Sequence, residues 1–137
     1  MNDGVSTESK GLIELVNDSD QNGSSVYRAL EILSTWGYSV SQKQHILSAP
    51  ESVLLNCHCD SLGFTPEQLV RADCVLTIDS ALRILFENPT NISGFMTMPN
   101  YNPGFEGATP MELIDQGDLG TLTHIAKRIQ ALAHIGW

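Results

Sequence analysis

The sequence predicts an all-α protein: about seven short helices behind an acidic tail. Three observations predict it. Apolar residues recur at three- and four-residue spacing from Val26 onward. Cap-and-proline helix starts occur at Thr65-Pro66, Asn88-Pro89 and Thr109-Pro110. No segment alternates apolar with polar as a strand does, and no internal repeat of about 20–50 residues is present.

The elements follow in order. Residues 1–23 form the tail: Ser, Thr, Asn, Asp and Gly fill 13 of them, with five acids and one Lys. Such a composition buries too little apolar surface to fold by itself. The island Leu12-Ile13-Glu14-Leu15-Val16 is too short to form a stable helix alone. Val26, Leu30, Leu33 and Trp36 then make one apolar stripe, capped by Ser24 or Ser25 and ended by Gly37. A short helix is expected from Ser41 to Ser48, and Pro50 opens a third through about Cys59.

Thr65-Pro66-Glu67-Gln68 predicts a helix with Leu69, Ala72 and Leu76 inward, and a following helix buries Ile78, Ala81 or Leu82, and Leu85. Asn88-Pro89 starts another, which stops before Pro99. Residues 98–108 hold two Pro, two Gly and two Asn, an ordered loop anchored by Tyr101 and Phe105. Asn100 is expected to organise this loop through its side chain. Thr109-Pro110-Met111-Glu112 is a capping box for a short helix ended by Gly117. The last helix runs from about Asp118 to His134, with Leu119, Leu122, Ile125 or Ala126, Ile129 and Leu132 as its stripe.

Composition narrows the function. Seven Lys and Arg face sixteen Asp and Glu, a formal charge of −9. Indiscriminate binding to nucleic acid or anionic membrane needs the opposite sign. No apolar run reaches the ~20 residues of a membrane span, and the start has no basic region followed by an apolar core. The natural reading is a cytoplasmic protein with reduced thiols at Cys57, Cys59 and Cys74. Cys57 and Cys59 would lie about 200° apart on a helix, so they do not grip one metal ion. No flanking signature supports a Cys–His nucleophile, and no glycine-rich phosphate loop is present. The reading is therefore not an enzyme, with no cofactor and no metal.

Residues 36–60 have the outline of a helix-turn-helix, with Lys43, Ser52 and Asn56 as candidate DNA contacts. Lys43 is the only basic residue between 41 and 65. Phosphate contacts supply most of non-specific DNA affinity, so this stretch is a weak reader.

The C-terminal motifs are more specific. Met98-Pro99-Asn100, Pro103, Phe105, Gly107, Thr109-Pro110-Met111-Glu112-Leu113-Ile114, Gly117-Asp118-Leu119 and a helix ending Gly136-Trp137 resemble the toxin-binding domain of the Xre/MbcA/ParS antitoxins. Leu33 to Gly37, Gln68-Leu69-Val70-Arg71, Ala81 to Phe86 and Asn88-Pro89 resemble the upstream part in order, so the likeness spans about residues 26–137. The chain departs from the family pattern in three ways: Glu106 stands where a glycine is common, Phe95 where a Trp is often found, and the helix-turn-helix region lacks its usual basic residues.

The resemblance implies three parts: the tail at 1–23, an Xre-like helical region at 24–87 and a toxin-binding domain at 88–137. It implies an antitoxin of a type II toxin–antitoxin pair that covers the active site of a RES-domain toxin, an enzyme acting on NAD, and it implies a homodimer. An apolar helical pair around Trp36, Leu54 and Leu55 is the expected dimer surface. Met98, Asn100, Tyr101, Phe105, Lys127, Arg128, His134, Gly136 and Trp137 are the candidate toxin contacts. Met96 is a further apolar anchor, shared with the core. Gly136 would let the last turn present Trp137 and its carboxylate as a phosphate mimic. The alternatives are a helix-turn-helix transcription regulator without a toxin, and a solitary helical interaction module.

Overall fold

The computed structural model describes residues 25–51 and 64–135. They are all-helical, with six helices: α1 (25–36), α2 (Val40–Leu47), α3 (Pro66–Leu85), α4 (Pro89–Thr97), α5 (Pro110–Asp115) and α6 (Leu119–Ile135). None is long and apolar enough to cross a membrane. Glu51 is helical, as the expected third helix requires, but the rest of that helix, from 52 to about Cys59, lies outside the described residues, as do the expected tail, Leu54, Leu55 and the Cys57-His58-Cys59 cluster.

Local chemistry sets the helix ends. Gly37, at φ +100°, ends α1 in a left-handed turn, with the Gly37 N–H donating to Ser34 O (3.0 Å) and the Tyr38 N–H to Leu33 O (3.1 Å). Helix α2 starts with a capping box between Ser39 and Gln42. It ends in the same kind of turn at Ser48, φ +55°, where the Ala49 N–H donates to Gln44 O (3.0 Å). Thr65 and Gln68 make the expected box at α3, as do Thr109 and Glu112 at α5. Asn88 caps α4 by accepting from the Thr90 N–H (2.7 Å), and Asp118 Oδ2 accepts from the Thr121 N–H (2.9 Å) at the head of α6. Each such cap contributes about 1 kcal/mol.

One expectation is corrected. Residues 66–85 form a single helix, not two. The stripe of Ala72, Val75, Ile78 and Leu82 keeps helical spacing through Thr77 and Asp79, and no Gly or Pro interrupts it.

The core forms where α3 packs on α6, the most extensive pair among helices α2 to α6. Ala72, Val75, Ile78 and Leu82 bring one buried face to it; Leu122, Ile125 and Ile129 bring the other. Val26, Ala29, Leu33 and Trp36 of α1, Ile46 and Leu47 of α2, Met96 of α4 and Ile114 of α5 close around it. Residues assigned above to two regions, 24–87 and 88–137, thus share one core. Trp36 is buried in it and is not part of an exposed dimer surface.

Two polar side chains hold the end of α2 to α3. Gln68 Nε2 donates to Ser48 O (3.0 Å). Arg71 is 7% exposed and donates to Ile46 O (3.0 Å) and Gly117 O (2.7 Å), while Glu67 Oε2 pairs with its guanidinium at 2.9 Å. A buried charge persists only when such partners satisfy it. Tyr38 adds a third tie, its phenol donating to Met111 O (2.8 Å). Burial and, next, the Asp115 carboxylate push that phenol's pKa well up, so it stays a donor.

Candidate functional site

The segment between α4 and α5 closes on itself. The Asn100 N–H donates to Ala108 O (3.0 Å), and the Gly107 N–H returns to Asn100 O (2.7 Å). The Asn100 side chain is 7% exposed, and its Oδ1 accepts from both the backbone N–H and the Nδ2 of Asn102, each at 2.9 Å. Asn100 is therefore the loop organiser expected of it. Phe105 fills the loop at 2% exposure, edge-on to Phe95 with ring centroids 6.4 Å apart.

A glycine is required at one approach. Gly104 has φ +98°, and a Cβ there would lie 2.7 Å from Arg128 Nε and 2.9 Å from His124 Nε2. The positive φ is what favours glycine there; a Cβ would also push the Arg128 and His124 side chains aside where the loop meets α6. Glu106 takes a left-handed conformation too, at φ +52°. This gives a physical reason why glycine suits that position.

Beside the loop is a cleft of about 400 Å³. The end of α3 gives it Phe86, α4 gives Thr90, Asn91, Gly94 and Phe95, and the loop gives Met98 to Asn102. The Phe86 and Phe95 rings lie 5.6 Å apart and tilted by 47°. Among the described residues, no Asp, Glu, Lys, Arg or His lines it. Met98 is 62% exposed and Tyr101 83% exposed. They stand together at one cleft rather than singly, and it is a shared apolar surface of that kind that calls for an explanation.

The structure brings Met98, Asn100 and Tyr101 together at this cleft. It sorts the other candidates differently. Phe105 and Met96 are buried core residues, so neither is a surface anchor. Lys127 and Arg128 are exposed on α6, with Arg128 next to Gly104. His134 is not at the cleft. It donates through Nδ1 to Gln130 O (2.9 Å) and lines a separate groove of about 310 Å³ with Ile84 and Ala133. Gly136 and Trp137 lie outside the described residues. So do Ser52 and Asn56. Lys43 is half-buried, its ammonium on the Ser34 hydroxyl.

Two site features escape the sequence. The cleft depends on Phe86 meeting Phe95 across the α3–α4 turn, which no periodicity announces. The burial of Arg71 depends on carbonyls 25 and 46 residues away. Cys74 is buried, and burial raises its thiol pKa, a setting for an inert thiol.

Set against protein-family models, curated proteins and solved structures, the chain matches none.

Proposed function

We propose that this chain is a protein-binding module of the Xre/MbcA/ParS antitoxin type, which silences a RES-domain toxin by covering its NAD site. One observation carries the reading. Met98 and Tyr101, 62% and 83% exposed, flank an uncharged cleft on a loop that Asn100 holds in shape. Met and aromatic residues are enriched at protein interfaces. A loop already fixed before binding loses little conformational freedom on binding. The charge of −9 adds to this, because a site built for the phosphates of NAD attracts an acidic partner. The order of motifs from Leu33 to Gly117 supports the family; the exposed pair supports the surface.

The test is co-expression with the protein encoded beside this gene, read by growth and by cellular NAD. A neighbour that is toxic alone, changes NAD and is silenced in a stable complex supports the reading. The double variant Met98→Ser/Tyr101→Ser should then weaken the complex by about tenfold or more. A neighbour that neither binds nor harms the cell sinks the antitoxin reading, and a gel shift over salt then decides whether a DNA-binding regulator replaces it.

A further inference from the structure

Gly94 has no explanation in the chain's own packing. It sits within α4, where glycine is the least favourable residue after proline. Its backbone is not in the left-handed region, and a Cβ there would meet no atom within 4 Å. Neither conformation nor crowding calls for glycine. The open space above it belongs to the cleft wall.

We propose that the cleft takes one aromatic side chain with a hydrogen-bond donor, a tryptophan or tyrosine, from a protein partner with a basic surface, and that Gly94 marks its closest approach to the α4 backbone. This rests on the protein-binding reading above and specifies the chemistry of what binds. Phe86, Phe95 and Tyr101 offer ring faces and edges to a further ring. Asn102 donates its amide to Asn100, which leaves its own carbonyl oxygen as an acceptor at the rim. A charged side chain would find no ion-pair partner among the described residues that line the cleft. The volume, about 400 Å³, is near the small end of ligand clefts, room for one large side chain rather than an extended peptide. A second copy of this chain is disfavoured: it would bring −9 against −9, whereas a basic surface is complementary.

The experiment is an NMR titration of the full chain with N-acetyl-tryptophanamide, with N-acetyl-lysinamide as control. Saturable shifts at the Asn91, Gly94 and Tyr101 amides are expected from the tryptophan probe alone, with a Kd on the order of 1 mM. Gly94→Leu fills the space and should abolish them, with folding checked by circular dichroism. Gly94→Ala favours the helix, so a loss of about threefold in its affinity has no unfolding explanation. No shift at these amides, equal binding by the Gly94 variants, or equal response to the lysine probe overturns the proposal. So do shifts at the cleft that follow protein concentration without probe, which would place a second copy there. The two readings fail separately. Silencing of the toxic neighbour that survives Gly94→Leu sinks the cleft and spares the antitoxin. Probe binding that Gly94→Leu abolishes, beside a neighbour that never binds, sustains the cleft and sinks the antitoxin.

Discussion

Two irregular segments follow helices, α2 and α4, and they are held in opposite ways. The end of α2 is held from a distance: Gln68 and Arg71 reach it from α3, 20 and 25 residues on. The loop after α4 is held by its own atoms, Asn100 to Asn102 and Gly107 to Asn100. Remote ties join a segment to the core and make its shape depend on the whole fold. Local ties fix a shape that stands on the core while leaving Met98 and Tyr101 outward. The second arrangement suits a surface meant to be touched; the first suits a joint.

Arg71→Leu should break the comparison hardest. It leaves the Ile46 and Gly117 carbonyls without their donor, and urea unfolding should show a loss of about 3 kcal/mol. Asn100→Ala should cost about 2 kcal/mol in the same assay by removing one oxygen that serves two donors. Its effect should stay local, with NMR shifts confined to the loop and cleft, whereas those of Arg71→Leu should reach α2 and α6. Tyr38→Phe should cost about 1 kcal/mol at neutral pH, the worth of its bond to Met111. It should also flatten the alkaline limb of wild-type stability. The folded phenol's pKa is raised, so the unfolded chain releases that proton first, and stability falls as pH passes the ordinary value of 10.0.

The two non-glycine residues at positive φ among the described residues, Ser48 and Glu106, sharpen the comparison. Ser48→Gly and Glu106→Gly should each raise stability by about 1 kcal/mol, and a thermal melt of each single and the double variant should show the gains adding. The smallest effect is expected at the surface. Met98→Ser/Tyr101→Ser should alter unfolding by no more than about 0.5 kcal/mol, so any loss of partner binding is a loss of contact.

What was legible in the sequence was local. Thr65 with Gln68, Thr109 with Glu112, and Asn88 before Pro89 declare their helices because cap and partner sit within three residues. Asn100 could be named a loop organiser for the same reason. The continuity of α3 was not visible, since the stripe from Ala72 to Leu82 can be split or joined without changing its period. Phe105 and Met96 could not be assigned to core or surface by type, because an apolar side chain suits both. The cleft was illegible: Phe86, Gly94 and Tyr101 come from the end of α3, from α4 and from the loop after it, and only the fold places them at one cleft.

The Arg71 guanidinium has a kinetic consequence. It grips the end of α2 and Gly117, two residues before α6, at once, so opening either segment strips a buried charge of one partner and loosens its hold on the other. Their amides should lose hydrogen-exchange protection together, as one cooperative unit rather than by separate fraying. The 98–108 loop lacks that tether, and its amides should exchange at a rate of their own.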